Sequence, residues 1–273
     1  MILKSLLTRR RWLRRILWLL LIVTFAFITK FILHLVLPRN FVAMGQKPKL
    51  QLAGGAFQVT CYCGLQQPKG IIILGSGDGG WSYWEENTAK HLLDTGYAVG
   101  GWDCRKFADS RNYDQAQLCA GFIAAVEAVR ERTGAGDAVP VWYGGWSTGA
   151  EQSVAAAACA NRLPQLVGLL LAAPGTRGRY GITSSDLLGG TPTGPDSFAL
   201  ADMVMPLKGL RVVQFAAGLD PLDDVDWIQR LASPYHLIHL PGTLHDMGGA
   251  GPEFQSKMDE AIDWTLQPTP ATP

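Results

Sequence analysis

Charge is scarce in this chain, and scarcest where several common functions would need it. Only 17% of the 273 residues are Asp, Glu, Lys or Arg, too few for a coiled coil or a solvated disordered chain. Its 31 Gly and 16 Pro fall far short of a collagen-like composition. The first forty residues contain no Asp or Glu but eight Lys and Arg, so 16 of the 24 basic residues remain against all 23 acidic ones, a net −7. A body of that sign lacks the clustered cations that nucleic acid rewards. The one Gly-rich loop, Gly75 to Trp81, is followed by no Gly-Lys-Ser/Thr and lacks GxGxxG spacing, which argues against a nucleotide cradle. Cysteine is limited to Cys61, Cys63, Cys104, Cys119 and Cys159. Cys61 and Cys63 share one face of a predicted strand with no second pair at metal spacing, so no zinc site and no cofactor are expected. An odd count leaves at least one thiol unpaired; Cys104 and Cys119 could bridge in an oxidising compartment or remain two buried free thiols.

What the chain does have, at its start, is an address. Arg9, Arg10, Arg11, Arg14 and Arg15 precede the uncharged run Ile16 to Thr29, and after Lys30 the apolar pattern resumes to Leu37, with Pro38 closing it. As a helix, Ile16 to Leu37 would measure about 33 Å, enough for a hydrocarbon core of about 30 Å. The upstream cations would keep the start cytoplasmic and send the remainder across, with Lys30 and His34 snorkelling at the far end. The expectation is a signal anchor over 1–37: a single pass through a bacterial inner membrane, with the following domain in the periplasm. A cleaved signal peptide ending near Ala43-Met44-Gly45 is the alternative, leaving a soluble periplasmic protein. Thr8 to Arg14 also resembles a twin-arginine export signal, and the basic residues stacked in front argue against the bland alternative, a buried helix of the domain.

After an expected linker over 38–50, residues 51–267 read as one α/β domain, and 268–273 as a Pro/Thr-rich disordered tail. Phe57 to Tyr62 alternates like a half-buried edge strand, whereas Ile71-Ile72-Ile73-Leu74 is a continuous apolar run suited to a strand covered on both faces. Helix and strand signals then alternate. Strands are expected at Tyr97–Trp102, Ala138–Tyr143, Leu166–Ala173, Leu210–Ala216 and Tyr235–Leu240. Helices are expected at Trp81–Asp94, Tyr113–Thr133, Ser147–Asn161, Asp224–Leu231 and Pro252–Leu266. A Gly/Pro/Thr-rich excursion from Pro174 to Pro206 interrupts the series and could serve as a lid. Such alternation predicts a mostly parallel sheet with helices on both faces and chemistry at the carboxyl ends of its strands.

Gly145-Trp146-Ser147-Thr148-Gly149 falls between a predicted strand and a predicted helix. A serine nucleophile at such a bend needs small neighbours, because a side chain on either flank would collide. The N–H of Thr148, at the helix start, would then face a developing oxyanion. Asp220 follows the strand Leu210–Ala216; Asp223, Asp224 and Asp226 crowd the same loop, where capping and first-turn charge account for the last two. His245 follows the last strand, whereas His236 and His239 lie within it, His91 on a helix and His34 in the anchor. A lone histidine is more often structural than catalytic. Serine, aspartate and histidine arriving in that order, each after a strand, argue for a nucleophile, an orienting carboxylate and a base. A second oxyanion donor should come from the loop after Leu74.

Ser76-Gly77-Asp78-Gly79-Gly80-Trp81, together with Gly145 to Glu151, resembles the exported bacterial virulence-protein family of VirJ/AcvB type over about residues 68–266. The resemblance implies an α/β-hydrolase fold and hydrolysis of aminoacylated phosphatidylglycerol, especially its lysyl ester, with a link to secretion. It implies Ser147, Asp220 and His245 as catalytic residues, the N–H groups of Asp78 and Thr148 as the oxyanion hole, and Gly77, Gly79 and Trp81 as substrate-binding. Thr148 and Glu151 stand where that family usually has an aromatic residue and an aspartate. A general esterase or lipase, and a non-catalytic hydrolase-like partner in secretion or envelope assembly, are the alternatives. Asp78, Glu85, Glu86 or Asp246 could hold the ammonium of an aminoacyl group, and Arg177 and Arg179 a lipid phosphate; for all six the plain alternative is solvated surface charge.

Overall fold

The computed structural model describes residues 2–36, 41–64 and 67–267, with side chains in the first helix described at residues 12, 14–30 and 33. The chain divides into two units, Met1–Pro38 and Arg39–Pro273. The expected tail over 268–273 lies outside the described residues.

The first unit is one helix, α1 (Ile2–Val36). Its apolar side chains are open to the surroundings, Phe25 and Phe27 by more than 70%. Among the described residues, no helix is long and apolar enough to cross a membrane.

The second unit opens with a hairpin, β1 (Lys49–Leu52) and β2 (Gly55–Gln58), and then alternates. Its order is β3 (Thr60–Tyr62), β4 (Ile71–Gly75), α2 (Tyr83–Asp94), β5 (Ala98–Trp102), α3 (Cys104–Ser110), α4 (Gln115–Thr133), β6 (Val141–Trp146), α5 (Thr148–Ala157) and β7 (Leu166–Ala172). The excursion follows with β8 (Arg177–Arg179), α6 (Ser184–Leu187) and β9 (Ser197–Ala199). Last come β10 (Arg211–Ala217), β11 (Tyr235–Leu240), α7 (Met247–Ala250) and α8 (Pro252–Leu266).

Seven strands form one sheet in the order β11-β10-β7-β6-β4-β5-β3, parallel except for β3 at the edge. The period of two in β4 explains why its run is apolar throughout. Ile71 and Ile73 join the core beneath α4 and α5, while Ile72 and Leu74 join the core beneath α2 and α8. The first layer packs α5 against the sheet, and the second packs the ends of β10 and β11 against α7 and α8.

Two expectations need correction, and one left open is decided. The expected linker is not one: β1 begins at Lys49, Gln46 pairs with Cys61, Phe41 packs on Tyr83 with ring centres 4.8 Å apart, and Ala43 is buried. Residues 41–50 belong to the folded unit, held by backbone pairing that composition does not reveal; 38–40 lie outside the described residues. The helix expected at Asp224–Leu231 shrinks to a single 3-10 turn at Ile228–Arg230. The backbone there is drawn elsewhere, since Asp224 N–H donates to Pro174 O and Gln214 Nε2 donates to Asp224 O. Cys104 and Cys119 form no bridge; all five cysteines are free thiols, with Cys104 beside Trp102 O and Cys119 donating to Asn161.

Candidate active site

β6 delivers Ser147 to the carboxyl edge of the sheet, and α5 starts at the next residue. Ser147 has φ 54° and ψ −121°, a conformation that costs a non-glycine residue of order 1–3 kcal/mol. Its N–H is held by Ala172 O at 2.9 Å. The bend is possible because strand and helix meet backbone to backbone. A Cβ on Gly145 would lie 2.4 Å from Gly75 O, and one on Gly149 only 2.2 Å from the same oxygen. Gly75 ends β4, so three glycines from two strands and a helix make the contact that turns Ser147 outward.

The other members arrive on loops after β10 and β11. His245 Nδ1–H donates to Asp220 Oδ2 at 2.6 Å, and the Asp220 side chain is almost wholly covered while that of His245 remains about one-third open. This hydrogen bond selects the tautomer that leaves Nε2 as an acceptor. Leu222 N–H holds the second Asp220 oxygen at 3.0 Å. Trp146, next to Ser147 in sequence, donates from Nε1 to His245 O at 2.7 Å, tying the elbow to the histidine loop. Asp223 sits just behind, taking Ala217 N–H and Gln214 Nε2, and burial pushes its carboxyl up to about 6.

Ser147, Thr148, His245 and Asp78 all border one cleft of about 360 Å³. Thr148 begins α5, where the first N–H groups have no partner inside the helix. Asp78 is in the turn closed by Gly80 N–H on Gly77 O. The expected catalytic residues and oxyanion donors therefore meet in one place. The expected substrate-binding residues do not. Trp81 is 2% exposed, fills the space over Gly101 and donates to Glu86, while Gly77 and Gly79 are buried and Gly77 abuts the Trp146 ring. None of the three is among the residues that border the cleft.

Of the acidic residues considered for a cationic group, Glu85 and Glu86 are buried and already bonded, the latter to Tyr62, Trp81 and Lys90. Asp246 caps α7 and does not border the cleft. Asp78 does, together with two carboxyls that sequence reasoning did not place there, Glu151 and Asp186. Glu151 lies four residues after Ser147, one turn along the same helix face, a spacing that could have revealed it. It is 8% exposed and accepts Gly175 N–H at 3.1 Å. Burial, reinforced by Asp78 and Asp186, raises its carboxyl to about 8. Arg177 borders the cleft but donates to Pro192 O and Ser197 Oγ; Arg179 lies 3.0 Å from Asp186 and donates to Thr193 O. Both arginines thus brace the excursion, which lines the cleft with Arg177, Asp186 and Pro192. Among the described residues no group of three or more His, Cys, Asp and Glu is arranged to hold a metal ion.

Solved structures with a similar fold include the α/β hydrolase GrgF of a Penicillium species, at TM-score 0.61 and 14% identity over 81% of this chain and 97% of that one. An esterase domain of a Rhodothermus marinus protein matches at TM-score 0.57 and 13% identity, over 80% and 96%. A Xanthomonas campestris α/β serine hydrolase without a lid matches at TM-score 0.53 and 18% identity, over 86% and 100%. The chain has the α/β-hydrolase fold. No family model matches it, and neither does any curated protein. Within that fold the excursion 174–206 is the insertion after β7, and Ser147 stands on the turn after β6.

Proposed function

We propose that the chain is a serine hydrolase of carboxylic esters. The observation that carries this reading is the meeting of His245, hydrogen-bonded at 2.6 Å to Asp220, with a strained Ser147 at the edge of one cleft. In the reaction, Nε2 of His245 removes the Ser147 proton as Oγ attacks the ester carbonyl. The N–H groups of Thr148 and Asp78 stabilise the oxyanion of the tetrahedral intermediate. His245 then returns the proton to the leaving alkoxide, an acyl-Ser147 remains, and water activated by the same imidazole hydrolyses it. Asp220 orients the ring and offsets its transient positive charge.

For the substrate, we infer an aminoacyl ester of phosphatidylglycerol, foremost the lysyl ester, with a general acyl ester as the second reading. The likeness to the VirJ/AcvB-type family supports it, as does the carboxyl lining of Asp78 and Glu151, which would face the ammonium of a cationic acyl group. The Arg-rich start, followed in the sequence by the uncharged run Ile16 to Thr29, supports an anchor in the inner membrane with the domain on its periplasmic side. A role as a non-catalytic partner in secretion is the remaining reading; the assembled residues count against it, since binding alone does not require them.

A fluorophosphonate probe tests the chemistry: labelling of the full chain that disappears in Ser147→Ala is expected, and absence of labelling in folded protein overturns it. Mass-spectrometric comparison of membrane lipids tests the substrate. Aminoacyl-phosphatidylglycerol should accumulate when Ser147→Ala replaces the active protein; an unchanged lipid profile beside intact esterase activity leaves the general esterase.

A further inference from the structure

Glu85 is a buried carboxyl that the proposed chemistry leaves unused. It stands in the first turn of α2 with no exposed surface. A glutamate at this position commonly closes a capping box, reaching back to the N–H of the capping residue from the protein surface. Glu85 does that with one oxygen: Oε2 accepts Ser82 N–H at 2.7 Å and Ser82 Oγ–H at 2.5 Å. Its other oxygen leaves the helix altogether. Oε1 accepts the N–H of Gly77 at 3.1 Å, eight residues earlier, in the loop after β4 that leads to Asp78.

We propose that Glu85 is a positioning residue for the oxyanion hole, aiming the Asp78 N–H into the cleft through Gly77. The proposal rests on the reading of Asp78 as an oxyanion donor. A trans peptide is a rigid plane whose C=O and N–H point in opposite directions. The plane joining Gly77 to Asp78 is fixed at its carbonyl end, because Gly77 O accepts both Gly80 N–H and Ser76 Oγ–H at 3.0 Å. Its N–H end, that of Asp78, must then point the opposite way. The preceding plane, joining Ser76 to Gly77, ends in the N–H that Glu85 holds. With both planes tied, the two rotatable angles of Gly77 are determined. Without Glu85, the residue with the widest conformational range would be free at one side, next to the donor. A lone helix cap needs only Oε2; the reach of Oε1 across to another loop is what a capping role leaves unexplained.

The test compares Glu85→Gln with Ser82→Ala in the full chain, using p-nitrophenyl acetate as substrate, an arylboronic acid as tetrahedral mimic, and acetate as a ground-state competitor. An amide at 85 presents a donor to one of the N–H groups it now accepts. Glu85→Gln should lower kcat by about 10- to 100-fold, weaken the boronate by a similar factor, and leave KM and acetate inhibition within about twofold. Ser82→Ala removes the cap hydroxyl but not the Gly77 contact, so it should lower Tm while keeping kcat and boronate affinity. If Glu85→Gln keeps full boronate affinity, or if both variants lose stability and kcat in parallel, the proposal is overturned. Should Glu85→Gln fail to fold, Glu85→Asp, which keeps the charge but falls one methylene short, is held to the same boronate criterion. Hydrolysis that persists in Ser147→Ala would instead overturn the serine-hydrolase reading itself.

Discussion

The two sides of the cleft are built by different means. On the elbow side, backbone rests on backbone: Gly75, Gly145 and Gly149 leave no room for one added carbon. On the opposite side, the loops after β10 and β11 and the excursion after β7 are held by side chains that reach to carbonyls and carboxylates. Asp220 holds His245, Arg177 holds Pro192 and Ser197, and Arg179 pairs with Asp186. A backbone contact fixes position and fold together, so damage to one is damage to both. A side-chain contact can be removed while the chain around it stays folded, so function and stability separate.

The largest separation is expected at Asp220. Asp220→Asn keeps the size of the side chain but reverses the hydrogen-bonding sense at His245 Nδ1, favouring the wrong tautomer. Ester hydrolysis should fall by about 10⁴-fold, with Tm nearly unchanged. A loss below tenfold in steady-state assays would mean that Asp223, the neighbouring carboxylate, can take over the imidazole, and the two sides would differ less than argued.

The opposite outcome is expected at Gly149. An added methyl would lie 2.2 Å from Gly75 O, and neither partner can move without shifting a strand or the helix that carries Thr148. Gly149→Ala should cost about 3–5 kcal/mol, or about 10 °C in Tm, and activity should fall with it. Thermal melting that is unaffected would show that the elbow can yield, and the claimed rigidity would be lost.

How the sequence could be read differs between the same two sides. The elbow was legible because a packing demand of this kind leaves a residue-type signature, Gly-x-Ser-x-Gly, between a β4-like apolar run and an Ala-rich helix. Asp220 and His245 were legible from their order after strands, since topology alone carries those positions to one edge. The excursion was legible only as an interruption. Its contacts run from arginine to carbonyl, and any residue can supply a carbonyl, so no pattern marks Pro192 or Thr193 as partners. The same reason hid the attachment of residues 41–50, where Gln46 pairs through backbone atoms with Cys61. Trp81 was misassigned because an aromatic beside a glycine loop looks alike whether it meets a ligand or, as here, the flat space above Gly101. For Glu85 and Glu86 the sequence allows either an ammonium ligand or surface charge, since adjacent acids in a first helical turn usually face solvent; their burial depends on the loop and on Tyr62, which folding alone brings near.

Glu151 joins the two sides, since it rides on α5 yet accepts its hydrogen bond from Gly175 in the excursion. Its carboxyl, raised from the ordinary value to about 8, binds a proton in the folded chain at pH values where the unfolded chain has lost it. At this group the folded protein therefore holds more protons between the two values, and its contribution to stability declines as pH rises from about 4.5 toward 8. Asp223, raised to about 6, adds to the decline in its lower part. Glu151→Gln should remove most of the upper part, raising Tm near pH 8 by about 5 °C relative to the parent chain while changing little near pH 5. A parallel pH profile in both proteins would show that Glu151 is not the group responsible. The same residue predicts that a cationic acyl ester, which favours the ionised carboxyl, gains in kcat/KM over a neutral one as pH rises through about 8.

The smallest effect belongs to Arg177, and it decides whether the excursion is a wall or a lid. Its guanidinium donates to Pro192 O and Ser197 Oγ, both within the excursion, and so staples β8 to the segment that borders the cleft. Removing it leaves one carbonyl and one hydroxyl to find water, which both can do at a half-buried site. Arg177→Ala should therefore cost about 1 kcal/mol, or about 3 °C in Tm, with kcat for a small ester unchanged because nothing on the elbow side is touched. If the excursion is a wall, KM for a small ester stays within about twofold, and for a long-chain ester it rises as the far end of the cleft loosens. If the excursion is a lid held shut by this staple, the same variant lowers KM for the long-chain ester and speeds its turnover. A fall in KM would thus transfer the excursion from the fixed to the moving parts of the molecule, and would make Arg177 the residue that sets how often the cleft opens.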